Sequence, residues 1–208
     1  MIITLFSYLL TCSAALAADD TDPSDATAAA ATDTAAQAEY IRLSQELEKL
    51  ATRNAWPGVV RTYDALIATK VPPKFEDHLF GAHGARAVGD ITSVRQRLLL
   101  ANDLREDREV IDWLWEIDST YGQVFLACDP GKGELKAESM PFDPDQSHAV
   151  SFAAAKVVET GIFEGYLPQG KYYFSDMEVK VQPRIQGTRI DLRTADSGKP
   201  PKHKKKDK

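Results

Sequence analysis

Histidines, cysteines, carboxylates beside glycine turns and one glycine–lysine loop are the groups of this chain that could do chemistry. Gly165, Gly170 and Lys171 have the separation of a phosphate-binding loop. The residue after the lysine is Tyr172, where a Ser or Thr hydroxyl is needed to hold magnesium. Such a loop must also open a helix whose N–H groups face phosphate. Residues 172–182 instead alternate apolar and polar, as a strand does. The loop reads as a turn, and no nucleotide is expected. The run from Asp129 through Gly131 and Gly133 to Glu134 lacks oxygen side chains at alternate positions, so it reads as a turn and not a calcium loop. Asp143 and Asp145 flank Pro144 and supply too few carboxylates for a hard cation. His78 and His83 are five apart, roughly 140° round a helix, and make no i, i+4 metal pair. The chain has no H-E-x-x-H helix and no G-x-S-x-G nucleophile turn. Cys128 closes the apolar run 124–128 and reads as a buried thiol. No catalytic residue, metal or cofactor is indicated, and the chain is read as a non-enzyme. An enzyme of unrecognised type is the third-ranked alternative.

The elements that carry these residues follow from periodicity. Tyr40, Leu43, Leu47, Leu50 and Ala51 recur at three and four, an amphipathic helix. Pro57 sits where a second helix can start, with Val59, Tyr63 and Leu66 as its stripe and Pro72 and Pro73 as its stop. A third helix is predicted over 75–88, with Gly89 and Asp90 as a turn. A fourth carries Val94, Leu98 and Ala101, and a fifth carries Val110, Leu114 and Ile117. Trp113 and Trp115 lie two apart on that fifth helix and face different sides, one inward and one outward. From Gly122 the period shortens. Residues 122–128, 134–139, 162–167, 172–182 and a piece around Ile190 and Leu192 read as strands, and 141–146 as a loop. The segment 149–160 is open between helix and strand, being Ala-rich and then β-branched. The fold class is α+β, with helical hairpins followed by a small antiparallel β-domain.

The helical part repeats at a spacing of 35: Asn54 answers Gly89, Val59 answers Val94, Tyr63 answers Leu98, and Leu66 answers Ala101. With Ala82 and Ala85 on the preceding helix, residues 40–108 resemble tetratricopeptide repeats, whose period is about 34. The pattern departs at Leu47, where that family prefers a small residue, which implies looser packing there. The resemblance implies a groove, lined by the first helix of each hairpin, that holds a peptide or partner protein. Its groove positions fall on Ser44, Glu48 and Thr52 in the first unit and on Glu76, His83 and Arg86 in the second. The helix after Asp107 takes the place of a capping helix. The stretch 161–172, with Leu167, Pro168, Gly170 and Tyr172, resembles the turn of small PEGA-type β-modules. That resemblance implies a binding or spacer module of a bacterial envelope protein.

The termini carry an address and a charge. Residues 1–10 are almost wholly apolar, and Ala15-Leu16-Ala17 fits the A-x-A pattern of a signal-peptide cut before Ala18. Cys12 offers a less favoured lipid-anchor site. Residues 18–37 hold no Ile, Leu, Val, Phe or Trp and read as a disordered acidic linker. Net charge is −6, but 194–208 carry six lysines and two aspartates, so the rest of the chain is strongly acidic. That balance excludes a general nucleic-acid binder, and two cysteines exclude a disulfide scaffold. The organisation expected is a signal peptide over 1–17, linker over 18–37, helical domain over 38–121, β-domain over 122–193 and basic tail over 194–208. The function expected is a periplasmic or extracellular scaffold of the bacterial cell envelope that binds a protein or peptide partner through the groove. The alternative is a wall-polysaccharide module that uses Tyr166, Tyr172 or Tyr173 on one β-face. In both readings the tail is suited to anionic envelope polymers or lipid headgroups.

Overall fold

The computed structural model describes residues 23–184 and 187–193, with side chains from Asp33 onward. The expected signal segment 1–17 and tail 194–208 lie outside the described residues. The chain is α+β and divides into two compact units, residues 1–35 and 36–208. The described part of the first unit is helical from Pro23.

The helices run α1 Pro23–Thr52, α2 Trp56–Ala68, α3 Phe75–Val88, α4 Ile91–Leu104 and α5 Arg108–Thr120. Helix α1 begins well inside the stretch whose composition reads as a linker. Alanine has the highest helix propensity, and the amphipathic turns after Glu39 supply the nucleus that an isolated Ala run lacks. Pro57 lies in the first turn of α2, where its missing N–H costs nothing. Asp90 caps α4 by accepting from the Ser93 N–H at 3.1 Å. Leu47 is fully buried with Val59 and Leu66, so the large residue is taken into the first hairpin's core. The close approach of α2 and α3 rests on Gly81. A Cβ there would stand 2.5 Å from the Tyr63 ring.

The second half is β1 Tyr121–Ala127, β2 Leu135–Ala137, α6 Pro144–Thr160, β3 Ile162–Pro168, β4 Gly170–Phe174, β5 Met177–Val181 and β6 Thr188–Asp191. Three expectations change here. The open segment 149–160 is helical, and α6 starts at Pro144, inside the expected loop. Asp143 accepts from the Asp145 and Gln146 N–H groups, Pro144 occupies the first turn and Gly161 closes the end at φ 72, so both caps favour helix over the β-branched Val157 and Val158. Residues 172–182 form two strands. Ser175 turns the chain at φ 55 with no Asn or Gly to announce it, and Met177 ends up exposed. The sheets are not purely antiparallel. In the order β3-β1-β6, β1 pairs antiparallel with β3 and parallel with β6, while β2-β4-β5 is antiparallel throughout.

No linker separates helices from sheets. Thr120 ends α5 and Tyr121 begins β1. Ala149 of α6, Tyr121 of β1 and the flanking Tyr166 of β3 pack into the core of α3, α4 and α5. A second core, with Leu126, Phe163, Leu167, Phe174 and Val157, lies between the sheets and α6.

Candidate interaction face

Helix α3 organises the polar groups of the helical array. Its inner side holds Asp77, which accepts from Tyr40 Oη at 2.6 Å, Ser44 Oγ at 2.7 Å and the Lys74 N–H at 3.0 Å. At the next residue, His78 Nδ1 lies 2.8 Å from Tyr63 Oη. The Arg97 guanidinium sits 4.1 Å from the centre of the Tyr63 ring and donates to the Gly81 carbonyl at 2.6 Å. Burial, reinforced by Asp77, pushes the Tyr40 hydroxyl up to about 12. Burial likewise holds the His78 imidazole below its usual range. Asp77, His78 and Arg97 are all buried, so this network braces the hairpins, and Tyr63 and Arg97 also line a hollow of about 410 Å³ with Asp64 and Gln96.

The outer side of α3 faces α5 and the start of α6. His83 lies against Trp113 with ring centres 4.8 Å apart, and the Arg86 guanidinium stands 5.2 Å from the same indole. Arg86 donates to Asp145 of α6 at 2.7 Å and reaches Glu116 of α5 at 3.5 Å. Partly exposed pairs of this kind are worth about 0.2–1 kcal/mol, so they orient Arg86 more than they stabilise the fold. Contact with the indole strips water from the inner side of the His83 ring. That desolvation, with the Arg86 charge beside it, lowers the His83 pKa although its outer edge stays open. Tyr121, 6% exposed, belongs to the core that Trp113 packs against. Burial, then the charges of Asp143, Asp145 and Glu116 against Arg86, pushes its hydroxyl up to about 12.

The six residues expected to line one groove divide. Ser44 turns inward to Asp77. Glu48 and Thr52 line a hollow of about 350 Å³ on α1 with Gln45, Lys49 and Arg53. Glu76 lies exposed two turns before His83 and pairs with Arg105 at 3.4 Å. His83 and Arg86 meet around Trp113, apart from the Glu48 and Thr52 pair on α1. Sequence reasoning missed Asp77, Tyr121, Glu116 and Asp145, because each acquires its role from a partner more than twenty residues away. The tryptophan pair behaves as its spacing predicts: Trp113 flanks the core and Trp115 is 65% exposed. Of the tyrosines expected on a polysaccharide-binding face, Tyr166 is half-buried against the helical core. Tyr172 is 2% exposed and donates to the Pro168 carbonyl at 2.8 Å, and Tyr173 is 37% exposed. Cys128 is buried, and burial raises its thiol pKa, as its apolar neighbours predict. Among the described residues no helix is long and apolar enough to cross a membrane.

Comparison with family models, with curated proteins and with solved structures finds no match to this chain.

Proposed function

We propose that this chain is a non-enzymatic interaction protein of the bacterial cell envelope, exported by its N-terminal segment, and that it docks a partner protein on the face shared by α3, α5 and the start of α6. The observation that carries the reading is the convergence of His83 and Arg86 on Trp113. Trp, Tyr and Arg are the residue types that dominate binding energy at protein interfaces, because they combine large apolar area with a directed polar group. Glu48 and Thr52, on the open side of α1, extend the same array. The hairpin order α1–α2, α3–α4 and then α5 supports the tetratricopeptide-like reading of this part.

The test is capture from envelope extract with the tagged full chain at low and high salt, read by mass spectrometry. One partner is expected to be retained at both salts and lost with His83→Ala, a change to a solvent-edged side chain that leaves the melting temperature unaltered. Retention by His83→Ala and by Trp113→Ala alike sinks the reading. Retention of wall or lipid material only at low salt moves the function to tethering through the lysine tail.

A further inference from the structure

Tyr63 and Arg97 have two settings. On one side they belong to the buried brace of the hairpins, and on the other they line an open hollow of about 410 Å³. Asp64 and Ile67 of α2 and Gln96 and Leu100 of α4 line it with them. That volume lies within the ~300–1,000 Å³ of small-molecule sites. The groove implied by the repeat pattern is lined by the first helix of each hairpin. Helices α2 and α4 are the second helices, so this hollow is a separate place.

Arg97 supplies its chemistry. It is 7% exposed, so its charge has lost most of its water. Of the five guanidinium N–H groups, one donates to the Gly81 carbonyl at 2.6 Å and one to Asp64 Oδ1 at 3.2 Å. The Arg97 Nε has no acceptor among the described residues and is not sealed, so it is open to solvent. The counter-charge is loosely held. The Asp64 side chain is 65% exposed and meets Arg97 through one oxygen, a kind of pair that contributes little. Asp90, the other acid that acts on Arg97, is spent on capping α4 through Ser93. A buried guanidinium with one loosely held carboxylate favours a ligand carboxylate that takes two parallel N–H bonds where Asp64 takes one.

The rest of the hollow is aliphatic. Ile67 and Leu100 are exposed apolar side chains on its wall. Leu104, also exposed, continues the row from Arg97 through Leu100 along α4 at spacings of three and four. The seven residues from Arg97 to Leu104 make this row about 10 Å long. A cation with a row of aliphatic side chains leading from it suits an unbranched alkyl chain with a carboxylate head.

We propose that the hollow between α2 and α4 binds a medium-chain aliphatic carboxylate of fatty-acid type, its head on Arg97 in place of Asp64 and its chain along Ile67, Leu100 and Leu104. The site shares no residue with the face of His83, Arg86 and Trp113, so it stands or falls separately from the docking of a partner there.

Titration calorimetry of the full chain with sodium octanoate tests it, with octylammonium, acetate and acetyl-leucyl-leucine as comparison probes. Octanoate is expected to bind once per chain and to saturate, about tenfold more tightly than octylammonium, the difference of one charge-assisted pair. Acetate, which lacks the chain, should show no saturation. Asp64→Asn should tighten octanoate binding about threefold, because it removes the competing carboxylate from an exposed position. Leu100→Gln, on the wall, should weaken it about tenfold at an unchanged melting temperature. Arg97→Met should abolish it, and the two exposed variants decide the matter where that change disturbs the brace. Octylammonium binding as tightly as octanoate, weaker affinity in Asp64→Asn, or unaltered affinity in Leu100→Gln would each overturn the proposal, as would the absence of saturable binding. Tighter binding of acetyl-leucyl-leucine than of octanoate would assign the site to a peptide C-terminus and overturn the fatty-acid reading.

Discussion

His78 shows how much a single residue's surroundings decide. Its type and position alone left it a non-ligand on a helix, whereas the fold seals it 4% exposed beside Tyr63 and Arg97. Burial lowers its pKa from the usual 6.5, with the Arg97 charge acting in the same sense and Asp77 opposing. The consequence has a definite sign. Below pH about 6.5 the unfolded chain takes up a proton that the folded chain resists, so stability falls on acidification until the folded pKa is passed. This one group contributes a slope of no more than about 1.4 kcal/mol per pH unit. Urea titrations from pH 7.5 downward, about two units, should show the fall, and His78→Asn should flatten it. His83 shifts in the same direction, so the variant's profile keeps a residual slope. Identical slopes in both proteins would rule His78 out as the source.

At the scale of elements, the α3–α4 turn and the α3–α6 contact are the same feature. Gly89 ends α3 at φ 86, and a Cβ there would meet the His148 backbone carbonyl of α6. Two costs therefore add on substitution. The left-handed conformation costs an L side chain about 1–2 kcal/mol, and moving a backbone carbonyl costs more. Gly131 separates them, since it has φ 74 but nothing within 4 Å of an added Cβ. Gly89→Ala is expected to destabilise by about 2–4 kcal/mol and Gly131→Ala by about 1–2 kcal/mol. Equal losses in denaturant unfolding would show that α6 does not press on this turn.

For the whole molecule, the shared cores predict cooperativity. Residues 36–208 form one compact unit, and the helical core includes Ala149 and Tyr121 from the second half. Arg86 ties α3 to α5 and α6 at the junction. Helices and sheets should therefore melt together. Far-ultraviolet circular dichroism and tryptophan emission are expected to give coincident transitions. Two separated transitions would restore the boundary between 121 and 122 that the change of period suggested.

The α+β class, the helices from Tyr40 to Thr120 and the strands at 121–127 and 162–168 were legible in the sequence, because each is written in local periodicity, caps and proline stops. The buried Cys128 and the opposed tryptophans were legible for the same reason. The hairpin at Ser175 was not, since its turn is Ser-Asp and lacks the Asn or Gly that marks a positive φ. Nor was the parallel β1–β6 pairing, which joins segments more than sixty residues apart. The candidate face was half legible. The tetratricopeptide resemblance pointed to His83 and Arg86, but Asp145 and Glu116 reach Arg86 only when α5 and α6 fold back onto α3. Periodicity fixes which side of an element is apolar, and only packing decides which distant element covers it and which polar groups meet there.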